Sequence, residues 1–442
     1  MAVAAKRIIS SGLQFPAVRA WQLRSCVPGL GYYLRRYAPC FVRTEQREDA
    51  RMYIEGLLSD LPRKTAEPIA LDHGVNRFRI QKFVGGGIWE HQKGLVELRR
   101  HVDQEIGDPD GILIIDPSGF PKKGTESVGV KRQWCGRLGK VENCQLGVFL
   151  GYVGYGSATL VDARLYLPAD WARSRARREK CHVPQGVRYR TTAQIADERL
   201  RLVSPQLRHA WVVGDDEFGR PAWFRRQLAR RGERYVLEVP GNTHIRPLEG
   251  KIPRGRRKPP FQRVLDWAQG RPTSVWTRIR VGNGENGPLE VDALVTAVQA
   301  KNKRKVGPRE RLLVTRTRET KPEWKCWLSN ATDEVPVDVM ACVAAKRHLV
   351  EDCFERGKGE SGLTHYEVRS WVGWHHHMTL ALIAQWYLTL QQRRIGEKNS
   401  RDDGPARGRS RAAIVATQGA FRGAGGGSHH VRPPSYRVHA TQ

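Results

Sequence analysis

No two of the eight cysteines in this chain stand as a CxxC pair, which argues against a zinc site. They are also too scattered, in too long a chain, for a disulfide scaffold, so reduced thiols in a cytoplasm are the default. No apolar run of about 18 residues occurs, so no membrane span is expected. Acidic residues are scarce: 45 Asp and Glu face 75 Lys and Arg, a formal net charge of +30. The basic excess is spread along the chain. A folded protein so unbalanced repels itself unless a polyanion binds it. Nucleic acid is therefore the expected partner, ahead of a ribosomal surface or an anionic membrane. The first acid is Glu45, and Lys6, Arg7, Arg19 and Arg24 precede it. That composition suits an organelle transit peptide or an arm lying on DNA.

Against these absences stand 13 Trp and a 40% hydrophobic content, enough for a large core, and a length of 442 residues that fits two or three domains. Residues 1–106 read as helical. Met52, Tyr53, Leu57, Leu58 and Leu61 recur at helical spacing, as do Trp89, Leu95, Val96, Leu98 and Val102. Between them, Ala66–Asp72, a turn at His73–Asn76 and Arg77–Val84 have the layout of a helix-turn-helix or of a plain packing hairpin. In the first case Arg77, Arg79, Gln81 and Lys82 face DNA.

Residues 107–240 change character. Gly111–Ile115 is a short apolar run closed by Asp116; Asn143–Val153 and Ala158–Leu167 alternate as strands; Thr191–Val203 is a helix. His209–Gly214 is a second buried run closed by an acid, Asp215, followed by an amphipathic helix over Pro221–Arg231 and a strand over Arg234–Val239. Three strands, helix, strand, helix, strand is the order of a ribonuclease-H-like core, so the expected class is α/β with a mixed sheet. Residues 241–335 interrupt it with a basic loop at Lys251–Pro259 and four strands, Val275–Val281, Leu289–Ala300, Arg311–Thr317 and Lys325–Ala331: a β-rich insert. Residues 336–395 return to helix and complete the core, ending in the apolar Met378–Leu390. Residues 396–442 are rich in Gly, Arg, Ser and Pro and are expected to be a disordered basic tail.

Asp116 and Asp215 stand out by position. Functional groups of an open sheet cluster at the carboxyl ends of its strands, and two carboxylates side by side repel unless a cation lies between them. Oxygen donors suit Mg²⁺ or Mn²⁺. Either Asp taken alone has the ordinary reading of a strand-end turn or a helix cap. A third acid would come from the helix Arg347–Lys358, where Arg347, Glu351, Phe354, Glu355 and Lys358 fall along one stripe; such a stripe is also what a solvated face looks like.

Asp116-Pro-Ser-Gly-Phe-Pro-Lys-Lys-Gly124, with Ser127–Gly136 and Leu138–Gln145, resembles the first-Asp block of bacterial insertion-sequence transposases of the 701 group. Val213-Gly-Asp215-Asp-Glu-Phe-Gly219 resembles their second-Asp block. Arg347-x3-Glu351-x6-Lys358 is similar to the Y-R-E-K signature of the wider group, and Gly362–Trp371, Trp374–Leu380, Phe41–Arg43 and Tyr53–Lys64 extend the likeness to roughly residues 28–392. The resemblance implies a DDE transposase acting on double-stranded DNA, in which Asp116, Asp215 and Glu351 bind Mg²⁺, with Mn²⁺ as a substitute. It implies that Arg347 and Lys358 contact phosphates, and that a homodimer assembles on DNA in a bacterial nucleoid. Where the signature has Tyr this chain has Ala344, which keeps open a non-catalytic DNA-binding protein of transposase descent. Asp216, Glu355 and Glu360 are rival acids.

Other features carry less. Lys122 and Lys123 suit either a phosphate contact or a solvated turn. His375, His376 and His377 cannot all point one way on a helix and are expected at the surface or facing DNA. Trp276, Trp324 and Trp327 suit core packing or stacking on an unpaired base. Arg173, Arg175, Arg177 and Arg178 read as a phosphate-tracking surface.

Overall fold

The computed structural model describes residues 27–248, 259–284, 287–302 and 305–402. The first 26 residues, most of the Lys251–Pro259 loop and the tail from 403 onward lie outside the described residues.

The N-terminal part is helical: α1 Val27–Arg35, α2 Thr44–Leu58, α3 Ala66–Asp72, α4 Arg77–Gly86 and α5 His91–Ile106. The α3–α4 hairpin turns at Gly74, in the left-handed region at φ 65°, where glycine carries no steric penalty. Asn76 caps α4 by accepting the Phe78 amide at 2.9 Å. Two of the basic side chains of α4 are engaged locally. Arg77 pairs with Glu67 at 2.7 Å, and Arg79 bridges Glu48 at 3.0 Å and Asp49 at 2.5 Å.

Next come β1 Ile112–Pro121, β2 Lys131–Cys135, β3 Lys140–Gly154 and β4 Ser157–Leu165, with short helices α6 Ala169–Arg173 and α7 Arg175–Lys180 after them. Then follow α8 Thr192–Val203, β5 Trp211–Gly214, α9 Asp216–Gly219, α10 Ala222–Arg230 and β6 Tyr235–Val239. β5 and β6 lie parallel to β1, while β3 is antiparallel to β1, β2 and β4. Neighbouring strands therefore run β4-β3-β1-β5-β6. β1 does not stop at Asp116, as the apolar run suggested. Its pairing with β5 ends at Ile115, but β3 continues to supply partners as far as Pro121. Beyond Ile115, β1 has only β3 beside it, the edge position where a strand tolerates Pro117 and Pro121. The hairpin strand β2 carries no apolar alternation and is not visible in the sequence.

After β7 His244–Pro247, β8 Gln262–Arg263 and α11 Val264–Gln269 come β9 Thr277–Gly284, β10 Gly287–Asn302, β11 Lys305–Thr317 and β12 Trp324–Ser329. β12 pairs with β6, so these strands prolong the same mixed sheet, in the order β6-β12-β11-β10-β7-β8. A buried polar joint ties the two halves. Arg225 of α10 donates to both oxygens of Glu310 on β11, at 2.7 and 3.2 Å, and the Tyr235 hydroxyl donates to the same carboxylate at 2.7 Å. Trp327 belongs to the core; Trp276 and Trp324 are partly buried around the Arg316 guanidinium.

α12 Val337–Ala345, α13 His348–Gly359 and α14 Trp371–Asp402 are the last elements among the described residues. α14 runs through Gly396 to Asp402, because Glu397–Asp402 contains neither Pro nor Gly. Its first half is packed by α2, α4, α5 and β4, and this overturns the surface reading of the three histidines. His375, His376 and His377 are all buried, since a helix enclosed on every side hides every direction. Carbonyls and a hydroxyl meet their rings: His376 lies 3.1 Å from the Val84 oxygen and 3.0 Å from that of Trp89, and His377 lies 2.8 Å from the Tyr53 hydroxyl. Burial pushes His376 down to about 4 and His377 to about 3, so both are neutral. Among the described residues no helix is long and apolar enough to cross a membrane.

Candidate active site

The parallel register pairs Ile115 with Gly214 and Gly214 with Leu237. The next residue on β1 is Asp116, and the next after β5 is Asp215. Both thus leave the apolar sheet interior at the same level, on adjacent strands. Asp215 also caps α9, its Oδ1 accepting the Glu217 amide at 3.1 Å, which holds its carboxylate at the mouth of the turn.

Asp116 is paired across the ladder with Phe149, and partners in a ladder face the same side. Phe149 meets Phe354 of α13 edge-on at 5.1 Å, so α13 lies over the same face as Asp116. The chain reaches α13 through a tightened turn: Leu349 and Val350 donate to the carbonyls three residues back, Lys346 and Arg347. That turn aims Arg347 at the sheet. Its Nη1 lies 3.2 Å from Asp116 Oδ1, its Nη2 3.0 Å from Glu351 Oε1, and its Nε 3.7 Å from Glu238 Oε2. Lys358, one stripe position further along α13, lies 5.1 Å from the Phe354 ring centroid and is among the charges acting on Asp116.

The electrostatics are those of acids that are buried and then crowded by one another. Burial, then the neighbouring Asp215, raise the Asp116 carboxyl to about 8 against the pull of Arg347. Burial, then Glu217, raise Asp215 to about 7. Burial disfavours the Arg347 cation, but Asp116 and Glu351 outweigh it and hold its pKa above the ordinary value. Glu351 remains 57% exposed at its side chain, so it stands at the solvent side of the cluster. Among the described residues, no three His, Cys, Asp or Glu side chains are drawn together tightly enough to hold a metal ion as they stand. The cation at the centre of this cluster is the Arg347 guanidinium.

Of the residues singled out in the sequence, Asp116, Asp215, Glu351 and Arg347 come together, with Lys358 beside them. Asp216 turns to Arg220. The Glu360 backbone carbonyl accepts from Lys64 at 2.7 Å. Lys122 is spent inside the fold: its ammonium donates to the Tyr366 carbonyl at 3.2 Å and lies 3.5 Å from that ring's centroid, and burial lowers it to about 8. Lys123 is exposed. In the arginine run, Arg175 pairs with Glu179 at 2.7 Å, Arg177 lies over Trp171 at 5.0 Å, and Arg178 donates to the carbonyls of Pro184 and Val187; much of that charge supports local structure. Sequence reasoning missed Glu238. Its signal was a lone acid inside the otherwise apolar strand Tyr-Val-Leu-Glu-Val.

A family model described as DDE superfamily endonuclease matches residues 36–305. The probable transposase for insertion sequence element IS701 of Microchaete diplosiphon is 29% identical over 238 residues, which are 53% of this chain and 59% of that relative. The chain thus matches less than two thirds of the relative's length.

Proposed function

This chain belongs to the DDE superfamily endonuclease family, and from that premise we propose that it is an insertion-sequence transposase. It would cut DNA at the element's ends and join the freed 3′-hydroxyl to a target, with Asp116, Asp215 and Glu351 as the acidic triad. The observation that carries this reading is the shared level of Asp116 and Asp215 at the end of the parallel pairing, with Arg347 bridging Asp116 to Glu351. The strand order β4-β3-β1-β5-β6, with helices α8 and α10 between strands, supports a ribonuclease-H-like core formed by residues 107–240 and 336–395. Residues 241–335 are then its β-rich insert and residues 1–106 a helical DNA-binding region.

The donor chemistry of the triad suits hard divalent cations. All its donors are oxygens, the preference of Mg²⁺ and Mn²⁺, and two of the three are pushed toward protonation by burial and then by a neighbouring acid, which a bound cation would offset. Arg347 supplies positive charge to Asp116 and Glu351. Bound ions would stabilise charge on the attacking and leaving oxygens of an in-line displacement. The chain's own residues hold and orient. Asp215 is fixed by its capping bond, Asp116 by the strand, and Glu351 is free on its solvent side to close the site. Arg347 and Lys358, both cations on the stripe that runs into α13, would hold the phosphate being attacked. Double-stranded DNA is the substrate, and the resemblance supports a homodimer bringing two ends together.

A second reading, a DNA-binding protein of transposase descent that does not cut, is favoured by Ala344, a buried residue without a hydroxyl. One experiment separates the two. Duplexes carrying the DNA that flanks the reading frame are incubated with Mg²⁺ and the full chain. Metal-dependent nicking is expected, abolished in Asp116→Ala, Asp215→Ala and Glu351→Ala while DNA binding persists. If all three variants still cut, the triad is wrong; if the wild type binds but never cuts, the second reading stands.

A further inference from the structure

Three parallel strands, β1, β5 and β6, end their mutual pairing on one row: Ile115, Gly214 and Leu237. The residues one step on are all acids, Asp116, Asp215 and Glu238. Glu238 is held there by more than its own strand. A Cβ on Gly219 would run into the Glu238 carbonyl, so the glycine closing Asp215-Asp-Glu-Phe-Gly219 lets the turn after the second Asp press directly on β6. Across the ladder Glu238 faces Trp327. Its side chain is 23% exposed, and its strongest charged neighbours are the cations Arg347 and Lys325, not the row's other acids.

The three nitrogens of the Arg347 guanidinium thus address three different carboxylates: Nη1 toward Asp116, Nη2 toward Glu351 and Nε toward Glu238. A planar fork of fixed geometry keeps such assignments distinct. Resting on the proposed triad, we infer that Glu238 is a positioning residue: a reserve seat that retains Arg347 beside the site when a divalent cation claims Asp116 and Glu351. Arg347 and the cation compete for the same oxygens. With Glu238 present, Arg347 yields two partners and keeps the third. Without it, leaving Asp116 and Glu351 strands a partly buried guanidinium with no carboxylate, which is costly, so Arg347 holds on and the cation binds less well.

The test is Mn²⁺ affinity, read as free Mn²⁺ by paramagnetic resonance, in the full chain and in Glu238→Gln, Arg347→Gln and the double variant. Glu238→Gln is expected to weaken Mn²⁺ binding about three- to tenfold, the size of coupling between groups in contact. Adding it to Arg347→Gln is expected to change nothing. Glu238→Asp keeps the charge but shortens the reach, and is expected to behave as Gln. Equal weakening with and without Arg347 would make Glu238 a metal ligand and end the positioning role. Unchanged or tighter binding in Glu238→Gln would end it as well. Asp116→Asn and Asp215→Asn serve as controls: if neither alters Mn²⁺ binding, the triad itself falls and this inference with it. If both do while Glu238→Gln does not, Glu238 alone is misassigned.

Discussion

Nη1 of Arg347 lies 3.2 Å from Oδ1 of Asp116, joining two residues 231 positions apart in the chain. The contact is the hinge of the site: it docks the turn before α13 onto the one strand whose acid has the most strongly raised carboxyl of the cluster. It does not neutralise that strain, and a first prediction follows.

Asp116 in the folded chain keeps its proton to about pH 8, whereas an unfolded Asp loses it near 4. Between those values the folded state binds more protons, so stability contributed by this group is full below the unfolded pKa and declines as pH rises through the folded one. Asp116→Asn removes the conflict. Without divalent metal it should stabilise the chain by about 1 kcal/mol at neutral pH, with little effect near pH 4, measured by denaturant melts. A destabilised variant would show that the carboxylate is satisfied in the free protein.

Cation binding at the proposed triad should depend on pH. Ions bind deprotonated oxygens, and Asp116 and Asp215 release their protons around 8 and 7. The rise in melting temperature on adding Mg²⁺ should therefore grow between about pH 6 and about pH 8.5. A pH-independent rise would place the ion elsewhere.

The joint between α10 and β11 should behave as a buried ion pair. Glu310→Ala leaves the buried Arg225 and the Tyr235 hydroxyl without their shared acceptor. The expected cost is about 3–5 kcal/mol in denaturant melts. Replacing both charges, Arg225→Met with Glu310→Leu, should recover much of it, since apolar residues of similar volume often substitute for such a pair. A double variant as unstable as the single would mean that the loss comes from packing.

A second buried cluster sets the acid limit. Asp162 is fully buried and is gripped by Arg99 at 3.1 Å and by Arg199 at 2.8 Å. Burial opposes its charge, but Arg199 and Arg99 outweigh it and hold the carboxyl below the ordinary range. Its contribution is present above the unfolded pKa of about 4 and is lost as pH falls through the lower folded value. Acid unfolding of the wild type should steepen below about pH 4, and Asp162→Asn should be less stable at neutral pH and flatter below it.

The sequence by itself showed most of the longer elements and where Asp116 and Asp215 stand in them. Apolar runs closed by Asp116 and Asp215 are local patterns, and a strand's period or a helix's stripe is written in neighbouring residues. The layout of α3 and α4, the four insert strands and the stripe Arg347–Glu351–Lys358 were legible for the same reason. Only the tertiary structure decided which partners these residues meet. That β1 runs on past Asp116 depends on the length of β3. That three histidines are buried depends on helices 300 residues away closing around α14. That Glu238 stands level with Asp116 and Asp215 depends on a register between three strands, which no local pattern encodes. Side-chain burial and strand register are set by long-range packing, so charge, order and spacing named the candidate residues, while the fold alone chose what surrounds them.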